Sequence, residues 1–135
     1  MVMAHILGID LVTLLVTDLD ETIAFYVDTL GFELHQDEAY GDDNRWVELR
    51  PPGSDTTITL KTPSMFSEDK ADHAAGLNLG SIPQLTFEVD TCEALYEEFG
   101  EAGVQFEAEP DTKPWGTSMT ARDPSGNPVV FTQRL

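Results

Sequence analysis

The sequence predicts an α+β fold made of two tandem βαβββ modules, and three observations carry that prediction. The stretch from Asp10 to Phe32, DLVTLLVTDLDETIAFYVDTLGF, reads as a strand, a capped helix and a glycine stop. A second stretch, Gln84 to Phe106, QLTFEVDTCEALYEEFGEAGVQF, repeats that plan. Strand-like segments then follow each helix in the same order, so a whole supersecondary unit recurs and the chain should be pseudo-symmetric. At 135 residues with 41% apolar content, the two modules can share one core. The reading is one domain over 1–135: module one at about 9–61, a connecting loop at about 62–81 and module two at about 82–133.

Each element has a local reason. Ile9 to Val16 is nearly continuous Val, Leu and Ile, the composition of a strand buried on both faces. Asp18 and Glu21 form an Asp-x-x-Glu helix start, and Asp90 and Glu93 repeat it. Helical spacing of Leu19, Ile23, Tyr26, Val27 and Leu30 predicts a helix over 19–30; Cys92, Leu95, Tyr96, Phe99 and Ala102 predict its counterpart over about 91–102. Gly31 and Gly103 stand at the left-handed cap positions. Strands are expected at Phe32–Asp37, Arg45–Arg50 and Thr56–Lys61, with a turn at Asp42–Asn44 and a stop at Pro51-Pro52-Gly53. The second module should have strands at Val104–Ala108, from Trp115-Gly116 to Arg122, and at Pro128–Arg134. Glu109–Lys113 reads as a loop and Asp123-Pro124-Ser125-Gly126-Asn127 as a hairpin turn. The irregular stretch 62–81 is long enough to be a linker or functional, and Met65 and Phe66 are placed to fold back over a pocket.

Composition excludes several functions. There are 25 Asp plus Glu against 7 Lys plus Arg, a formal charge of −18 spread along the chain. Such a surface repels nucleic acid and anionic membranes, so neither is expected as a partner. The acid excess resembles that of salt-adapted proteins, whose self-repulsion is screened where the Debye length is ~3 Å at ~1 M salt. No window is apolar enough to span a bilayer, and no basic-then-apolar leader is visible, so the chain is expected to be cytoplasmic. The single cysteine, Cys92, rules out an internal disulfide and reads as a small buried hydrophobe. His5, His35 and His73 sit in a leader, a strand and a loop, and no pair has metal-site spacing on one element.

The run VTLLVTDLDETIAFYVDTLGF, then FEVD, then DPSGNP, at fitting spacing inside a duplication, resembles the vicinal oxygen chelate superfamily of glyoxalases, bleomycin-resistance proteins and extradiol dioxygenases. The resemblance covers roughly residues 9–133. It implies modules whose strands curl into a mixed sheet around a cup-shaped cavity, and commonly a homodimer, sometimes with exchanged modules. It also implies, for catalytic members, a divalent metal held by His, Glu or Gln from the first and last strands of each module. Those positions fall here on Leu11, seven residues before Asp18; near Thr59; on Gln84, three before Phe87; and on Val130, three after Asn127. Only Gln84 keeps a donor of the required kind, and one amide oxygen binds a metal poorly.

From those anchors the two-residue period of a strand selects the cup wall. Leu11 brings Thr13 and Leu15, Gln84 brings Thr86, and Val130 brings Pro128 and Thr132. Thr57, Thr59 and Lys61 share a face, as do Trp46, Glu48 and Arg50. The expected ligand-binding set is Leu11, Thr13, Trp46, Glu48, Thr59, Lys61, Gln84, Thr86, Trp115 and Val130. Trp115, between Pro114 and Gly116, suits a pocket rim; Lys61 and Arg50 suit a surface ion pair or an anchor for a carboxylate or phosphate. Glu48 is the candidate catalytic base. The leading expectation is a small-molecule binder of the glyoxalase and bleomycin-resistance type, with no cofactor. The first alternative is a metal-dependent lyase or extradiol-type dioxygenase using Glu48, Gln84 and a histidine. The second is a non-catalytic regulatory or scaffolding module.

Overall fold

Residues 4–66 and 85–135 are described in the computed structural model. Module one consists of β1 (Val12–Leu15), a helix that starts as α1 (Leu19–Ile23), β2 (Glu33–Tyr40), β3 (Asn44–Arg50) and β4 (Ile58–Lys61), followed by a 3₁₀ turn at Pro63–Met65. Module two consists of β5 (Leu85–Glu88), α2 (Cys92–Glu101), β6 (Asp111–Lys113), β7 (Gly116–Arg122) and β8 (Pro128–Arg134). Each module forms one four-stranded mixed sheet, in the orders β1-β4-β3-β2 and β5-β8-β7-β6. The first and last strands of each module pair in parallel, Val12 against Ile58 and Leu85 against Val129. That registry makes Thr13 the counterpart of Thr86 and Thr59 the counterpart of Val130. The duplication read from the sequence is therefore a duplication of strand pairing.

The expected apolar helix faces enter a common core. Leu19, Tyr26 and Leu30 pack with Leu14, Val47, Leu49, Ile58 and Leu60, and Cys92 and Phe99 pack with Met119, Val129 and Phe131. Phe32 of module one meets Phe87 of module two edge-on, ring centroids 5.2 Å apart. Asp18 caps α1 as predicted, accepting from the Glu21 N–H at 2.9 Å. Gly31 and Gly103 take φ of 85° and 98°, which turns the chain out of each helix at little steric cost.

Five local expectations are corrected. First, β1 begins at Val12, and Ile9 is 86% exposed. Thr13 is exposed while the neighbouring Leu14 and Leu15, on opposite faces, are both buried, so the strand is covered on both faces only at its C-terminal end. Second, the predicted helix over 19–30 is α-helical only to Ile23 and continues as a π-helix over Ala24–Thr29. Its wider turns are closed by Leu30 N–H to Phe25 O at 3.0 Å and Phe32 N–H to Tyr26 O at 2.9 Å. Third, α2 is capped at Thr91, not Asp90: the Asp90 carboxylate takes the Thr91 N–H, and Gln133 Oε1 accepts from the Cys92 N–H instead. Fourth, Ala102 is the exposed end of α2, outside the core. Fifth, Val104–Ala108 is a single bridge, Phe106 to Ala121, and the strand pairing with β7 lies at Asp111–Lys113, where a loop was expected. Pro110, which lacks an N–H, stands between the two paired stretches and interrupts the ladder.

The Asp123–Asn127 turn joins β7 to β8 as expected, and it also ties the modules together. The Asn127 side-chain amide donates to the Leu15 carbonyl at 2.9 Å, and the Tyr26 hydroxyl donates to Asp123 at 3.1 Å. Ser125 Oγ accepts from the Thr17 N–H at 2.9 Å.

Candidate functional site

Strand alternation divides the first sheet into two faces. Val47, Leu49, Ile58 and Leu60 are buried under the helix, so Trp46, Glu48, Arg50, Thr57, Thr59 and Lys61 point to the other side. Registry brings these together: Glu48 opposes Thr59, Thr59 pairs with Thr13, and Lys61 pairs with Leu15. Leu11 lies one residue before β1, half-buried. The expected module-one residues Leu11, Thr13, Trp46, Glu48, Thr59 and Lys61 thus lie on or beside one sheet face.

Their contacts define what the face can do. The Trp46 indole N–H donates to Glu48 Oε2, which fixes both side chains. Thr59 is buried and donates its hydroxyl to Val47 O at 2.8 Å. Arg50 Nε donates to Thr57 Oγ1 at 3.1 Å. The Lys61 ammonium lies 5.7 Å from the Trp46 ring centroid and 5.4 Å from that of Phe66, within cation–π range of both. Phe66 therefore returns from the loop onto the first sheet beside Lys61. It was absent from the expected ligand set, although its position after β4 had marked it as able to fold back.

On the second sheet, Thr86 opposes Val130, and Val130 opposes Thr120. Gln84 and His73 lie outside the described residues. Trp115 is 56% exposed at the tip of the β6–β7 hairpin and lines none of the described cavities. Gly116 fixes that tip: a Cβ there would stand 2.3 Å from the Gln133 carbonyl oxygen. Among the described residues, a cleft of about 950 Å³ lies at the seam of the modules, walled by Val12, Phe32, Ile58, Phe87, Phe99 and Phe131 among others. Of the expected ligand residues that are described, Thr86 alone touches it. Sequence periodicity gave no sign of this cleft, because its walls come from elements of both modules.

A family-type divalent metal does not fit the donors in view. Leu11 and Val130 present hydrocarbon, and Thr59 offers only a buried neutral hydroxyl that donates to Val47 O. Among the described residues, no three His, Cys, Asp or Glu side chains are grouped to hold a metal ion. Cys92 is buried, and burial raises its thiol pKa, the opposite of what a nucleophilic thiolate requires.

Comparison with known proteins adds to this geometry. The sequence profile of the Glyoxalase/Bleomycin resistance protein/Dioxygenase superfamily matches residues 8–131. An uncharacterised protein of Shewanella frigidimarina is 31% identical over 117 residues, 86% of this chain and 85% of that one. The crystal structure of UcmS2 superposes with a TM-score of 0.83 at 31% identity, covering 95% of this chain and 98% of that one. TnmS3, an antibiotic binding protein from Streptomyces sp. CB03234, superposes with a TM-score of 0.76 at 29% identity over 98% of this chain and all of its own, 100%.

Proposed function

Since the chain belongs to the Glyoxalase/Bleomycin resistance protein/Dioxygenase superfamily, we propose that it binds a small organic molecule on the open face of its first sheet, with no metal held at the family's donor positions. The observation that carries this reading is the makeup of that face: Leu11 and a buried, neutral Thr59 stand where a metal would need donors, beside a Trp46–Glu48 pair and a Lys61 set against two rings. An apolar wall with a few placed polar groups is the usual chemistry of a small-molecule site. The antibiotic-binding neighbour TnmS3 supports the same class of function. Leu11, Thr13, Trp46, Glu48 and Lys61 supply the first-sheet contacts, and buried Thr59 supports β3 through Val47 O. Of the module-two residues of the expected set, Thr86 lines the inter-module cleft and Trp115 stands at the β6–β7 tip, so the first sheet carries the reading. Glu48, held by the Trp46 indole, orients that ring against the ligand.

The working unit is a homodimer. Ile6 and Leu7 are 96% and 99% exposed, and large apolar side chains so fully in water favour a protein partner. Light scattering should give twice the 14.9 kDa chain mass; a single-chain mass at micromolar concentration contradicts this part of the reading.

The test of binding is thermal-shift screening of chelator-treated protein against flat aromatic metabolites and antibiotics. A compound that raises the melting temperature of the wild type, and does so far less for Trp46→Ala, is the expected result. One tightly held divalent ion per chain, required for the shift, overturns it.

A further inference from the structure

We propose that the ligand of the first-sheet face is a flat organic anion whose acidic group pairs with Lys61 while its ring system packs against Trp46 and Phe66. This rests on the binding function proposed above and names the ligand class. The chain has 25 acids for 7 lysines and arginines, so carboxylates greatly outnumber the cations. Arg45, Lys113, Arg122 and Arg134 each have an acidic partner. Lys61 has none among the described residues. Glu48 lies on the same face, where one of its carboxylate oxygens accepts from the Trp46 indole N–H, and it forms no ion pair with Lys61. The partners of Lys61 are rings, at 5.7 and 5.4 Å, which hold an ammonium in place without neutralising it. A half-buried, positioned cation with no acidic partner among the described residues is a receptor for a carboxylate, sulfonate or phenolate, and the rings flanking it favour an aromatic body. Glu38 opposes Trp46 across β2 and β3, so an anionic group displaced toward β2 meets like charge. Arg50, on the same face, also has no ion pair among the described residues, but it donates to Thr57 Oγ1, whereas Lys61 stands against two rings, so the Lys61 end suits a flat anion.

The probes are 2-naphthoate and its uncharged isostere 2-naphthamide, titrated calorimetrically into the full chain. Wild type should prefer the carboxylate by about tenfold or more, the scale of one charge-assisted contact. Lys61→Met should bring the ratio of the two affinities to about one, and Lys61→Arg should restore it. A ratio within one variant is insensitive to modest loss of folded protein. Equal affinities in the wild type, or a preference that survives Lys61→Met, overturn the anionic class while leaving the binding function standing. Failure of both probes and of every neutral aromatic compound at the same face overturns both.

Discussion

Asp123 holds the two modules together, although nothing in its local sequence marks it as more than a turn residue. Its buried carboxylate accepts from the Ser125 and Asn127 N–H groups, both at 2.9 Å, from the Tyr26 hydroxyl at 3.1 Å and from Asn127 Nδ2 at 3.2 Å. Asp123→Ala strands a buried hydroxyl and a buried amide, and should cost about 3 kcal/mol of stability in urea unfolding. A loss below about 1 kcal/mol, the scale of one ordinary hydrogen bond, contradicts that role. Tyr26 is pushed well above the usual phenol range, first by burial, then by the Asp123 charge and by donating to it. The native state therefore binds the phenolic proton more tightly than the unfolded chain does. Its contribution is complete below the unfolded value of about 10 and is lost as pH rises beyond it. Wild-type stability should fall above pH ~10 more steeply than that of Tyr26→Phe; parallel profiles contradict the assignment.

The elements show what was legible and what was not. Helices and the alternating faces of β3 and β4 follow from local periodicity, which is why Trp46 and Glu48 on one strand, and Thr59 and Lys61 on the other, are legible as sharing a face in the sequence; the registry of β3 with β4 joins the two sets. Features that depend on distant partners were not readable. The α2 cap moved to Thr91 because Gln133, on β8, reaches the Cys92 N–H. The π-helical end of the first helix is closed by bonds from the chain beyond it, Phe32 to Tyr26. Strand β6 is displaced by Pro110, whose effect on pairing depends on where β7 runs. The Asp18 cap was local and was read correctly, so Asp18→Ala should cost about 1 kcal/mol, seen as a lower urea midpoint at unchanged slope. No change in midpoint contradicts the cap.

At the scale of the molecule, charge sets the conditions under which the fold holds. A formal charge of −18 on 135 residues is self-repulsive wherever it is not screened. The melting temperature should climb as KCl is raised from ~0.05 M to ~1 M, where the Debye length shrinks from above 10 Å to ~3 Å. A flat profile contradicts salt adaptation. No described helix is long and apolar enough to cross a membrane. The inter-module cleft and the open first-sheet face are different surfaces, and the account gives function to the second. The most direct measurement is a ¹H–¹⁵N spectrum of chelator-treated protein titrated with a compound that raises its melting temperature. The account predicts that the Trp46 indole resonance and the β3 and β4 amides move first and saturate together with no divalent ion added. Shifts confined to Phe87, Phe99 and Phe131 around the cleft, or shifts that appear only after a divalent ion is supplied, would contradict it.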